Sequence, residues 1–158
     1  MDNSFSSLYL ENQLCFPLYA ASRLTTKAYA PYLNELNITY PQYLVMLVLW
    51  QNREQSVNEI GNRLMLESNT LTPLLKRLES KELLTRKRSI SDERSVIVSL
   101  TEKGDKLKKQ ASSIPDKLMD SFQDTTISES EISAFKETLL KLVATLDQKT
   151  SAGKSKKE

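Results

Sequence analysis

The 158 residues include no histidine and only one cysteine, and glycine is limited to three positions. Each scarcity removes a class of chemistry. A zinc site draws about four ligands from Cys, His and carboxylates, so one thiol without an imidazole almost excludes it. Serine–histidine and cysteine–histidine nucleophilic mechanisms fail for want of the base. The single cysteine has no partner for an internal disulfide. No apolar run reaches the roughly 18 residues of a membrane span. The opening MDNSFSSLYLENQ has neither the positive charges nor the small-residue cleavage pattern of a signal peptide. The expectation is a cytoplasmic protein, whose lone thiol stays reduced unless something oxidises it. With three glycines and five prolines, regular structure should dominate.

Hydrophobic residues make up 39% of the chain, enough for a core, while 27% charged residues indicate a soluble protein. The length suits one compact domain, or one domain plus a segment that packs on a second copy. The net charge of +2 is unevenly spread. Residues 76–94, KRLESKELLTRKRSISDER, hold seven Lys/Arg against four Asp/Glu, whereas residues 1–75 hold four against six. A focused positive region suits a local anionic partner better than a generally basic surface does.

Periodicity and turn chemistry divide the chain. From about residue 10 to 29, Leu14, Leu18 and Ala21, with Cys15, Tyr19 and Ser22, give a helical stripe. Pro17 cannot donate to the carbonyl of Gln13, which implies either a kink or a helix whose first turn begins near Phe16, with a distorted turn beside Cys15. A short helix around PYLNEL follows. Thr39 and Gln42 have capping-box spacing before the apolar helix TYPQYLVMLVLW. Ser56 and Glu59 repeat that spacing before VNEIGNRLML. After a break at ES, NTLTPLLKRLESKEL continues with leucines at helical spacing. Two short helices joined by a tight turn, the second polar at its start, form a helix-turn-helix pattern.

The period then changes. LTRKRS and SVIVSL read as strands around the charged loop ISDER, so a hairpin follows the second helix and the unit is a winged helix. Thr101 can cap EKGDKLKKQASSI, Pro115 predicts a kink, and Ser128 with Glu131 makes a third capping box. Ile132, Phe135, Leu139, Leu142 and Leu146 form an apolar stripe on the last helix, suited to the first helix and to a second subunit. The expected fold is mostly α with a small β-hairpin wing. Helical dimerisation regions are expected at 1–36 and 106–148, the winged helix-turn-helix at 37–105, and a disordered polar tail at 149–158.

Two groups of residues carry chemistry. Ser68, Asn69, Thr70 and Thr72 surround the start of the second helix-turn-helix helix, with Lys76 and Arg77 one to two turns on. Small polar side chains and helix N-terminal amides suit close approach to bases and phosphates in a major groove. The blander reading makes Ser68 or Asn69 a cap and the cations solvated. In the hairpin, Arg86, Lys87 and Arg88 suit phosphates, and Arg94 near the tip suits a narrow minor groove. Of Asp92 and Glu93 beside Arg94, one carboxylate is expected to orient an arginine through a paired hydrogen bond; the alternative is a solvated charged turn.

The order of elements and the run DERSVIVSLTEKG resemble the MarR family of dimeric transcription regulators over about residues 8–148. The wing signature falls on Asp92, Arg94, Ser95, Leu100, Thr101 and Gly104. Within that family, LENQLCFPLYAASR and LNITYPQYLVMLVLW are similar to the one-cysteine OhrR type, which senses organic hydroperoxides. The resemblance implies a homodimeric repressor, without a cofactor, bound to a pseudo-palindromic operator. Its sensor would be Cys15, with Tyr19 one turn on and Tyr29 and Tyr40 brought to the thiol from the partner subunit. Phenol hydroxyls donating to sulfur favour the thiolate, the nucleophile that attacks a peroxide oxygen. Oxidation to sulfenic acid would be followed by a mixed disulfide with a low-molecular-weight thiol, and DNA release. The alternatives are a regulator of the same fold that responds to a small phenolic or apolar ligand, with Cys15 inert, or a thiol peroxidase; for Cys15 itself the blander reading is a small buried hydrophobe. The peroxidase is disfavoured because the strand–helix–strand repeat of thioredoxin-like folds is absent.

Overall fold

Side-chain caps and one close-packed leucine core determine where the helices start and what they bury. The computed structural model describes residues 5–90, 92, 94–120 and 127–154. Among these, two 3-10 turns (Ser6–Leu8 and Leu10–Asn12) precede α1 (Cys15–Glu35), α2 (Tyr40–Asn52), β1 (Glu54–Ser56), α3 (Val57–Leu64) and α4 (Ser68–Ser80). These are followed by β2 (Leu84–Arg88), β3 (Val96–Leu100), α5 (Glu102–Ala111), α6 (Ile114–Asp120) and α7 (Glu129–Lys154). The chain divides into two compact units, Met1–Leu118 and Met119–Glu158.

Caps supply partners for helix-terminal N–H groups that have no intrahelical acceptor. The N–H of Thr39 donates to Gln42 Oε1 at 3.0 Å, and Pro41 sits in the first turn of α2, where its missing N–H is harmless. Ser56 and Glu59 make a reciprocal pair: the Ser56 N–H donates to Glu59 Oε2 at 2.7 Å and the Glu59 N–H to Ser56 Oγ at 3.2 Å. Ser128 and Glu131 repeat it before α7, at 2.8 and 3.3 Å. Thr101 Oγ1 accepts from the Gly104 N–H at 3.0 Å.

The prolines correct part of the sequence reading. Pro17 lies in the first turn of α1, so the helix starts beside it and the irregular backbone is the 3-10 turn before Cys15. Pro31 lies inside α1, and the separate helix expected at PYLNEL is the last part of α1. Pro31 deprives the Lys27 carbonyl of its donor, but Lys27 is exposed, so solvent can satisfy it. The bend at Pro115 is a break between α5 and α6, with Pro115 the second residue of α6.

The wing also differs from a two-stranded hairpin. β1 joins it to make a three-stranded antiparallel sheet in the order β1-β3-β2. Val98 faces Gln55 on one side and Arg86 on the other, and is fully buried. Around it α2, α3 and α4 bury Val45, Met46, Leu49, Ile60, Leu71, Leu75 and Leu78. At roughly 1.5–3 kcal/mol for each fully buried aliphatic side chain, this cluster is the main source of stability. Two contacts tie α5 to α2: Trp50 Nε1 donates to Gly104 O at 2.9 Å, and Lys108 Nζ to Trp50 O at 3.0 Å. A Cβ at Gly104 would collide with the Leu83 carbonyl oxygen, so glycine at the end of the LTEKG run is a packing requirement.

In the second unit, Phe135 and Leu146 are exposed, and Ile132, Leu139 and Leu142 are half-buried. α7 reaches Lys154, so the tail expected to be disordered from 149 is helical over 149–154, and its last four residues lie outside the described residues. No helix among the described residues is long and apolar enough to cross a membrane.

Candidate redox site and nucleic-acid interface

Cys15 is the first residue of α1, its thiol free and exposed. Tyr19, one turn further along the same face, is exposed, and its hydroxyl accepts from Arg23 Nη1 at 3.3 Å. Arg23 was not singled out from the sequence, although its i+4 spacing from Tyr19 was visible there. Leu14, Phe16 and Leu24 are exposed around this stretch.

Tyr29 and Tyr40 lie elsewhere. Their ring centroids are 4.9 Å apart, and Tyr43 completes the cluster at 5.8 Å from Tyr29 and 6.4 Å from Tyr40. Tyr43, three residues beyond Tyr40 on the same helix, was detectable by that spacing and was missed. Burial, with Tyr40 adding to it, raises Tyr29 above its ordinary pKa of 10.0. Burial raises Tyr40 as well, and burial with both neighbours raises Tyr43. All three phenols therefore stay protonated, as O–H donors, throughout the neutral range.

Cys15 and Tyr29 are both on α1, and a helical rise of 1.5 Å per residue puts them about 21 Å apart along its axis. One chain thus pairs Cys15 with Tyr19 and Tyr29 with Tyr40, but it does not bring the two pairs together.

The second group converges on the face formed by α4 and the wing. Ser68, Asn69 and Thr70 are exposed in the first turn of α4, Thr72 is half-buried, and Lys76 and Arg77 are exposed. Glu67 is the N-cap residue of α4, its carbonyl accepting from the N–H groups of Thr70 and Leu71 at 3.0 Å. Ser68 and Asn69 are therefore not the caps. Ser68 and Thr72 line a cleft of about 270 Å³ together with Asn58, Arg86, Arg94 and Ser95, so the helix start and the wing arginine face one space.

Two of the wing residues make bonds within the chain. Arg86 is held by Glu79 of α4: its Nη2 and Nε donate to Glu79 Oε2 at 2.6 and 3.0 Å, and its backbone N–H to Glu79 Oε1 at 3.0 Å. The Arg86 hydrogen bond lowers the Glu79 pKa below its ordinary 4.5. Arg86 thus joins wing to helix, whereas Lys87 and Arg88 are exposed cations. The Asp92 carboxylate accepts from the backbone N–H of Arg94 at 3.1 Å, so it shapes the turn. The turn is closed by Ser89 N–H to Ser95 O at 2.8 Å and Ser95 N–H to Asp92 O at 2.9 Å.

A polar-faced helix, a basic wing and a cleft shared by both define a DNA-binding regulator of the winged helix-turn-helix class. Residues 27–111 match the family model described as transcriptional regulator SarA/Rot. Over 149 residues, 94% of this chain and 99% of the relative, the sequence is 50% identical to the organic hydroperoxide resistance transcriptional regulator of Bacillus subtilis (strain 168). Among solved structures, reduced AbfR bound to DNA is similar with a TM-score of 0.75 at 38% identity, covering 88% of this chain and 93% of that one. Overoxidized AbfR bound to DNA is similar with a TM-score of 0.65 at 41% identity, covering 84% and 94%; AbfR is also known from Staphylococcus epidermidis. The chain belongs to the SarA/Rot-type MarR family of winged-helix transcriptional regulators.

Proposed function

We propose that this protein is a cytoplasmic, homodimeric repressor that holds a pseudo-palindromic operator while Cys15 is reduced and releases it when an organic hydroperoxide oxidises that thiol. The observation that carries the reading is the placement of the one cysteine: exposed at the start of α1, beside apolar Leu14 and Phe16, and about 21 Å along that helix from Tyr29. A second copy supplies those donors and covers the exposed apolar faces. The 50% identical relative is named for organic hydroperoxide resistance, and AbfR has been seen on DNA in reduced and overoxidized forms.

The chemistry is stoichiometric, and the protein is a switch and not a catalyst. The Cys15 thiolate attacks a peroxide oxygen. An S–O bond forms as the O–O bond breaks, sulfur is oxidised to sulfenic acid, and the peroxide leaves as an alcohol once its oxygen takes a proton. No second cysteine exists in the chain, so a low-molecular-weight thiol displaces water from the sulfenic sulfur and leaves a mixed disulfide. Its bulk and its loss of the tyrosine hydrogen bonds alter the dimer and separate the two wings from their grooves. Two recognition helices, α4 of each subunit, enter successive major grooves about one helical turn apart, and Arg94 enters the flanking minor grooves.

The test is one equivalent of cumene hydroperoxide with a small thiol, followed by intact mass and operator retention. The expected result is one thiol-sized adduct per subunit with loss of DNA binding. Cys15→Ser should bind DNA and ignore peroxide, because an alcohol is a poor nucleophile at neutral pH. Peroxide-driven release from Cys15→Ser would defeat the thiol switch and favour a ligand-responsive regulator.

A further inference from the structure

The wing tip carries an apolar residue for which the fold has no use. Ile90 is the most exposed large hydrophobic side chain among the described residues. It follows Ser89 directly, and Arg94 precedes Ser95, so the Ser89 N–H to Ser95 O bond that closes the hairpin sets Ile90 and Arg94 on the two limbs of one turn. The Asp92 carboxylate, bonded to the Arg94 N–H, and the Asp92 N–H, bonded to Ser89 Oγ at 3.3 Å, hold that turn together from inside. The Ile90 side chain is left to project, while exposed Arg94 sits at the cleft shared with α4. A β-branched aliphatic group here buries nothing within the chain and contributes nothing to folding.

A guanidinium is drawn into a narrow minor groove by its negative potential, and the groove walls are deoxyribose edges, the apolar part of the duplex surface. A wing that delivers Arg94 to the groove delivers Ile90 to its wall. Apolar residues beside arginines are a recurrent feature of minor-groove readers, where they pack on sugars or wedge base steps. We infer that Ile90 is a DNA contact, an apolar probe of the minor groove that contributes a salt-independent part of operator affinity beside the salt-dependent part contributed by Arg94. This rests on the DNA-binding reading of the wing and adds a residue and a type of force to it.

The two forces separate by ionic strength. Losing a cation that neutralises a phosphate or enters the groove lowers the slope of log Kd against log salt by about one, whereas losing apolar contact displaces the line without changing its slope. The experiment uses the full-length reduced protein and a labelled duplex of about 30 base pairs, selected by the wild type from a randomised pool and long enough for two half-sites with flanks. Ile90→Ala should bind it about five-fold more weakly at every salt concentration, with the wild-type slope, given the three carbons removed from a partly covered side chain. Ile90→Val should lose less than roughly two-fold. Both should melt at the wild-type temperature, because the side chain packs on nothing in the chain. Unchanged affinity in Ile90→Ala overturns the inference, as does a loss accompanied by a change of slope, which would mean that the substitution moved the wing charges. If the wild type retains no duplex from the pool, the DNA-binding reading falls, and this inference with it.

Discussion

α2 and the amino half of α1 are neighbouring helices with opposite economies of surface. Of the 13 residues of α2, seven are buried, whereas α1, 21 residues long, buries Leu33 alone, near its carboxyl end. α2 is held by the core it helps to form. An isolated helix of the length of the exposed part of α1 is marginal in water, and the core around Val98 does not bury that part. The winged helix is therefore held by a core of its own, while Cys15, the proposed sensor, lies on the helix end that this core leaves exposed.

The sharpest way to break this contrast is to truncate one leucine in each region and unfold both variants at two protein concentrations. Leu49→Ala should lose about 2–5 kcal/mol at either concentration, through lost transfer energy and a cavity at a fully buried site. Leu24→Ala should change stability by less, and only through the concentration-dependent part, because Leu24 is exposed in the single chain and the proposed dimer covers it. An unaltered concentration dependence in Leu24→Ala would show that no second copy covers that face.

A smaller effect tests the reading unit. Arg94→Ala should weaken operator binding by about 1–3 kcal/mol at low salt while leaving the dimer intact, measured by anisotropy titration and sedimentation. Equal affinity at matched salt would remove Arg94 from the reading machinery.

The smallest effect concerns the brace between helix and wing. The Glu79 carboxyl is held below its ordinary 4.5 by Arg86. A group whose folded pKa is depressed contributes stability that is present above the unfolded value and is lost as pH falls through the folded one. Glu79→Gln should therefore reduce stability at neutral pH by about 0.2–1 kcal/mol, the usual range for a pair this exposed, and the difference from wild type should shrink below about pH 4.5. Urea midpoints at pH 7 and at pH 3.5 measure it, and a difference that persists undiminished in acid would deny the ion pair its role.

Local chemistry explains which features were legible in the sequence. The Thr39–Gln42, Ser56–Glu59 and Ser128–Glu131 pairs act within four residues, and each was read as a helix start. The leucine spacing of α3 and α4 and the alternation of β3 were likewise readable. The misreadings concern features decided by tertiary contact. β1 is three residues long and exists because Gln55 pairs with Val98, 43 positions away. The brace between Arg86 and Glu79 was not legible either, because the partner is reached only when β2 turns back on α4. Pro31 looked like a helix start, but Leu33 and Ile38, both buried, hold the end of α1 against the core and carry the helix through it. At the candidate sensor, the sequence displayed the cysteine and its tyrosines, while the distance between them became visible only once α1 was seen to be one unbroken helix.

That unbroken helix has a consequence for inheritance. Because about 21 Å of α1 lies between Cys15 and Tyr29, the proposed sensing site is one assembled from two polypeptides, one giving the sulfur and the other the phenols. A cell holding one allele without the thiol and another without the tyrosines therefore makes, among its mixed dimers, sites that are whole although neither allele encodes one. On the proposed reading, sensing belongs to the pair of alleles and not to either one.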